Sequence, residues 1–236
     1  MPHTLKLEWG IDGLKRAIAR DDDIVIIDVL RFSSAVVTAA ALGFVIRPAA
    51  TEDRQKETET LSPVYFFGKK PSKVTIFSSN GAFLALSAAK KSKNVVIGAL
   101  LNAESIAKYI DGNKRSVTLL AAGEINKARL TLLDEYEKNL ANGNMIFSLE
   151  DMLGAGAISH FSHLKKSREC IKAEKIFRAT REILNQILLE SASGKYDQIH
   201  DRVEDIFLSS RLNCYRIIPK LHATKSSPEI RPISRK

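Results

Sequence analysis

What the chain lacks narrows it first. No run approaches the roughly 18 consecutive apolar residues that a bilayer-spanning helix requires. The first ten residues, Met-Pro-His-Thr-Leu-Lys-Leu-Glu-Trp-Gly, have no apolar signal core, so a cytoplasmic protein is expected, with no membrane partner. Cysteine is scarce. Cys170 and Cys214 lie far apart with no CxxC-type neighbour, which leaves a zinc site or disulfide framework without support and makes both expected core residues. Aromatics are 7% of the chain, too few to interleave with basic side chains as a base-stacking surface, and this argues against nucleic acid as the partner.

What is present suits a packed α/β protein. Hydrophobic residues are 44% of the 236, enough for a core and too many for global disorder. The length fits one large domain or two small sub-domains sharing a sheet. The net charge is +9, which fits either a generally basic surface or a field that draws a small anionic substrate. Part of the excess sits in 220–236, where five Lys or Arg accompany one acid, Ser and Pro, without apolar periodicity. This segment reads as a basic, flexible tail behind an α/β domain at 1–219.

Strand and helix signals alternate. Asp23-Ile-Val-Ile-Ile-Asp28 is a continuous aliphatic run, the mark of a strand covered on both faces. After Val29-Leu30-Arg31-Phe32, the pair Ser33-Ser34 opens an apolar helix that ends at Gly43, and Phe44-Val-Ile46 is a short second strand. The same grammar recurs with strand Lys73–Phe77, turn Ser78-Ser-Asn-Gly81 and helix Ala82–Ala89. Strand Asn94–Gly98 is followed by a helix capped by Asn102, and Ser116–Ala121 is a further strand. Beyond it, helical patterns cover Ala128–Leu140, a segment opening at Ser148, Arg168–Leu189 and Arg202–Leu212. Tyr215–Pro219 reads as a last strand or an extended segment.

Several of these turns carry groups that can do chemistry. Asp28 ends a buried strand, where open α/β sheets bind ligands, and a carboxylate there suits a hard cation such as Mg2+. Arg31 can grip a phosphate through two N–H donors. Ser33 and Ser34 lie where a helix start presents free N–H groups to an anion. Ser78, Ser79, Asn80 and Gly81 have the same placement, and Gly81 permits close backbone approach. Glu150 and Asp151 are adjacent acids at a helix start, able to bind metal or position a water. A purely structural reading competes with each of these: an Asp28–Arg31 ion pair, serines as helix caps, and Ser148-x-x-Asp151 as a capping box.

Taken in order, these segments resemble the 2-phosphosulfolactate phosphatase (ComB) family. The matching stretches are Asp28-Val-Leu-Arg31 with Ser33-Ser34, Ser78-Ser-Asn-Gly81-Ala82, Gly98-Ala-Leu-Leu-Asn102-Ala103, Ala122-Gly123, and Glu150-Asp-Met-Leu-Gly-Ala-Gly-Ala-Ile158. The resemblance implies a three-layer α/β/α fold with two related sub-domains, a homodimer, and a Mg2+-dependent phosphatase. It further implies release of phosphate from 2-phosphosulfolactate in coenzyme M biosynthesis. The expected metal ligands are Asp28, Glu150 and Asp151. Catalytic roles fall to Asp28, Arg31, Asn80, Glu150 and Asp151, and phosphate binding to Arg31, Ser33, Ser34, Ser78, Ser79 and Gly81. The chain departs from the family pattern at 51–72, which lacks the Gly-Glu-Arg and Gly-Phe-Asp segments, and in an insertion at about 125–145. These departures leave open a substrate related to 2-phosphosulfolactate, or a catalytically inactive anion-binding or regulatory protein on the same fold.

Overall fold

A computed structural model describes residues 3–50, 59–92, 94–125, 145–224 and 227–233. Its centre is a nine-stranded sheet in the order β4-β3-β11-β10-β5-β2-β6-β1-β9. The parallel core consists of β1 (Thr4–Trp9), β2 (Asp23–Ile27), β5 (Val95–Gly98) and β6 (Val117–Ala121). β7 (Glu124–Ile125) and β8 (Met145–Ile146) pair antiparallel in a separate ribbon, and a two-residue β9 (Lys165–Lys166) joins the edge of the main sheet beside β1. On the other side, β3 (Val45–Ala50) and β4 (Lys73–Ser78) pair with each other in parallel.

Sequence explains why β2 sits at the centre. A strand points alternate side chains to opposite faces. Val25 and Ile27 enter one apolar core, while Ile24 and Ile26 enter the other. The first core packs under α4 (Ala103–Gly112), α5 (Leu149–Phe161) and α6 (Arg168–Thr180). The second packs under α1 (Gly10–Ala19), α2 (Phe32–Ala41) and α3 (Gly81–Ala89). Helices therefore cover both faces, and the fold is three-layer α/β/α. Among the described residues, no helix is long and apolar enough to cross a membrane.

The expected flexible tail at 220–236 is corrected by the sheet itself. Residues 219–222 form β10 (Pro219–His222) and residues 229–232 form β11 (Glu229–Pro232), an antiparallel hairpin inserted between β5 and β3. Leu221 faces Ile230 across the hairpin, and both are buried. Three successive antiparallel junctions make β3 and β4 run opposite to β5 and β2. The hairpin meets each half of the sheet through one residue pair, Lys220 with Val96 and Ile230 with Ile46, so the two halves need not be coplanar.

Three smaller expectations also change. The helix expected over Arg168–Leu189 breaks after Thr180 into a 3-10 turn (Arg181–Ile183) and α7 (Leu184–Glu190). Cys170 is a core residue as expected, but Cys214 is exposed. Asn102 does not cap its helix: its side chain accepts from Ala99 N–H and donates to the carbonyls of Ile97 and Ile217. The helix expected at Ala128–Leu140 lies outside the described residues. Two short helices complete the chain, α8 (Ala192–Ile199) and α9 (Val203–Ser209).

Candidate active site

The turns after β2 and β4 converge on one cleft. It is lined by Asp28, Arg31, Ser78, Ser79, Asn80, Gly123, Glu150 and Asp151, with Leu30, Leu61, Ser148, Ser193, Tyr196 and Asp197 completing the wall. The segments after β2, β4 and β6 all contribute to it, although β4 runs counter to β2; residues 98–103 do not. The contact that joins them is a hydrogen bond from Gly81 N–H to Asp28 Oδ2 at 2.9 Å. Glycine is required there: a Cβ on residue 81 would lie 2.4 Å from Phe32 Cδ1 and 2.6 Å from Asp28 Oδ2. The Gly81 N–H therefore serves Asp28 rather than an external phosphate, contrary to expectation.

Ser33 and Ser34 also depart from their expected role. Both are fully buried in the first turn of α2, and neither lines the cleft. Ser33 Oγ accepts from Asp28 N–H at 2.9 Å, and Ser34 Oγ donates to Val29 O at 2.7 Å. Their hydroxyls satisfy backbone groups of the strand-to-helix turn, and this fixes Asp28 instead of binding anion.

Asp151 performs a similar but longer-range task. Its Oδ1 accepts from Val29 N–H at 2.8 Å and its Oδ2 from Gly123 N–H at 2.9 Å. The carboxylate thus bridges the chain just beyond β2 and β6. The capping box is only half formed, because Ser148 Oγ accepts from Asp151 N–H while the Asp151 side chain is committed elsewhere. α5 comes close enough for this because Gly154 lies against Ile27 and Val29, where a Cβ would meet methyl carbons at 2.9 Å. Burial raises the Asp151 pKa well above the ordinary carboxylate value, and the neighbouring Asp28 and Glu150 raise it further; the two N–H donors oppose this.

Asn80 Nδ2 donates to Gly123 O at 3.1 Å, so Gly123 is held from both sides, by Asn80 and by Asp151. The Oδ1 of Asn80 is buried and has no hydrogen-bond partner among the described residues. Ser78 and Ser79 are buried apart from their exposure in the cleft wall.

Arg31 is gripped by two acids that sequence reasoning missed. Its Nε lies 3.3 Å from Asp197 Oδ1, and its Nη1 lies 3.3 Å from Asp205 Oδ2; all three side chains are nearly inaccessible. Arg202 also approaches Asp197 at 3.6 Å. Burial raises the Asp197 pKa, against the pull of Arg31 and Arg202. Ser193, Tyr196 and Asp197 stand at i, i+3 and i+4 of α8, one face of one helix. That spacing was readable in advance. Asp205 carried no such signal, since an acid in a helix's first turn is already accounted for by the helix dipole.

The donor set suits a hard divalent cation. Asp28, Glu150 and Asp151 supply carboxylate oxygens, and among the described residues neither His nor Cys lines the cleft. Among the described residues, the cleft wall holds four carboxyl groups and one guanidinium, and like charges in such a wall repel a phosphate dianion. Among the described residues, no group of three or more acids, His or Cys is placed to hold an ion unaided.

The fold and site together define an open-sheet α/β enzyme, with its acids and an arginine gathered beyond the carboxyl ends of its strands. The model of the 2-phosphosulpholactate phosphatase family matches residues 61–224, more than half of the chain. A protein of Pseudothermotoga lettingae named probable 2-phosphosulfolactate phosphatase is 25% identical over 227 residues, spanning 87% of this chain and 92% of that protein. The chain belongs to the 2-phosphosulpholactate phosphatase family, and the enzyme class that this membership indicates is phosphoric monoester hydrolase.

Proposed function

We propose that the protein is a Mg2+-dependent phosphatase acting on a small acidic phosphate monoester, 2-phosphosulfolactate or a close relative. The observation that carries this reading is the convergence of Asp28, Arg31, Ser78, Ser79, Asn80, Glu150 and Asp151 on one cleft of a chain in this family. Mg2+ held by Asp28 would neutralise charge on the phosphoryl group, which leaves Glu150 free to act on water. Asp151 is the weaker candidate for a direct ligand, because both of its oxygens already accept backbone N–H groups.

The protein's own groups then divide the work. Arg31 and the hydroxyls of Ser78 and Ser79 bind phosphoryl oxygens and hold the ester in line. Glu150 accepts a proton from the attacking water. The water oxygen bonds to phosphorus as the P–O bond to the leaving group breaks; the departing alkoxide takes a proton from solvent to become an alcohol, and Glu150 returns its proton to solvent. Asn80 Nδ2 holds the Gly123 carbonyl, and this steadies the wall opposite Asp151.

The test is phosphate release from a panel of small acidic monoesters that includes 2-phosphosulfolactate, with Mg2+ and with EDTA. Turnover that is lost with EDTA and restored by Mg2+ is expected. No turnover of any ester, together with calorimetric binding of phosphate, would establish instead the inactive anion-binding reading.

A further inference from the structure

Among the buried acids that the mechanism does not use, Asp205 alone of those outside the cleft wall contacts Arg31 among the described residues. Asp205 is 1% exposed, sits on α9, and does not line the cleft. Its two oxygens face different parts of the molecule. Oδ2 takes Arg31 Nη1 at 3.3 Å. Oδ1 accepts from Ser62 Oγ at 2.5 Å and from Val64 N–H at 3.4 Å, both at the 3-10 turn Pro63–Phe66. We propose that Asp205 is a positioning residue for the reaction: it fixes the Arg31 guanidinium from behind the cleft and ties it to the Ser62–Val64 turn. The inference rests on the phosphatase reading and deepens it.

Three features support the assignment. A guanidinium is planar, so contacts to Nε and Nη1 from two separate helices determine its plane and leave little rotational freedom. Both anchoring acids are buried, so water does not screen them and the contacts hold Arg31 more firmly than surface pairs would. The two acids also differ in position. Asp197 is part of the cleft wall and can meet substrate, whereas Asp205 lies behind it and contacts Arg31, which lines it. Leu61, next to Ser62, lines the cleft as well. Asp205 therefore connects two parts of the wall, one charged and one apolar.

A merely structural acid would hold α9 to the turn without affecting the anion. Asp205→Asn separates the two roles. The amide keeps one acceptor for Ser62 and Val64, but turns a donor or an uncharged oxygen toward Arg31. The readouts are binding of inorganic phosphate to the Mg2+-loaded full chain by calorimetry, KM and kcat on the best monoester, and the thermal midpoint. D205N is expected to weaken phosphate binding and raise KM by about 10- to 100-fold, while S62A stays within about threefold of wild type. In an R31K background, D205N should add less than about threefold, because its effect passes through the guanidinium.

Phosphate binding unchanged in D205N would overturn the proposal, as would equal losses in D205N and S62A or additive losses with R31K. If D205N does not fold, D205E keeps the charge but moves the carboxylate by one methylene, and phosphate binding must then weaken by at least about threefold. A wild-type chain that neither binds nor hydrolyses phosphate esters overturns the functional reading and this inference with it. A wild-type enzyme that is active while D205N, or D205E in its place, behaves identically overturns the inference alone.

Discussion

Asp28 Oδ2 accepts the N–H of Gly81 at 2.9 Å, joining the ends of two strands that run in opposite senses. This bond brings the second turn of the sequence pattern into the same cleft as the first. It also means that Asp28 holds structure and chemistry together. An amide in its place can still accept from Gly81 but loses the charge that a cation needs. Asp28→Asn is therefore expected to lower phosphate release by about 10²-fold or more. Its thermal midpoint should equal or exceed that of wild type, since one of three neighbouring acids is neutralised. Retained turnover with a lowered midpoint would make Asp28 a structural partner only.

Gly81→Ala tests the other side of the same bond. The new Cβ would fall 2.4 Å from the ring of Phe32, which is fully buried and has little room to move. Overpacking of this kind costs about 1–3 kcal/mol. For a chain of this length each kcal/mol lowers the midpoint by about 2–4 °C, which differential scanning fluorimetry resolves. Activity should fall as well, because Asp28 lies 2.6 Å from the same Cβ and must shift. A variant with wild-type stability would show that the turn can relax.

The strand-end turns were legible because their signals are local. Four aliphatic residues in a row announce β2, and Ser-Ser-Asn-Gly announces a turn whatever lies around it. The first strand also carries a local signal: Leu5 and Leu7 alternate with polar residues across Thr4–Trp9, a period of two. The hairpin at 219–232 was not legible. Its apolar residues Leu221 and Ile230 are nine positions apart, and only cross-strand pairing makes them neighbours. The Arg31 cluster was hidden for a related reason, since Asp197 and Asp205 lie far along the chain and meet Arg31 only through the tertiary fold.

Glu229 gives the hairpin a pH signature. It pairs with Lys73 of β4 and with Arg231. The Lys73 and Arg231 hydrogen bonds lower its pKa from the ordinary value of 4.5. A carboxylate whose folded-state pKa is depressed stabilises the fold fully above its unfolded pKa and loses that contribution as pH falls through the lower, folded value. Glu229→Gln should therefore lower the thermal midpoint at neutral pH. The gap from wild type should begin to close below about pH 4.5 and vanish once Glu229 is protonated in the folded protein. A gap that persists at low pH would mean that packing, not charge, sets the effect.

Truncation after Pro219 is the severest test of the sheet. It removes Lys220, Leu221 and His222 from β10 and the whole of β11, strands that separate β5 from β3. The loss uncovers Ile46 and Val95, which the hairpin helps to bury. It also leaves β3 and β5 with unpaired backbone edges inside what was a continuous sheet, a template for pairing with other chains. The β3–β4 half carries Ser78, Ser79 and Asn80, so the cleft would lose one wall as the hairpin that links the halves departs. The expected outcome is an insoluble chain, or one without a cooperative melt and without phosphate binding. Removing only 234–236 leaves β10 and β11 intact and should reproduce wild type in all three measurements. A chain ending at Pro219 that melts cooperatively and binds phosphate would show that the hairpin is an accessory to a sheet able to close without it.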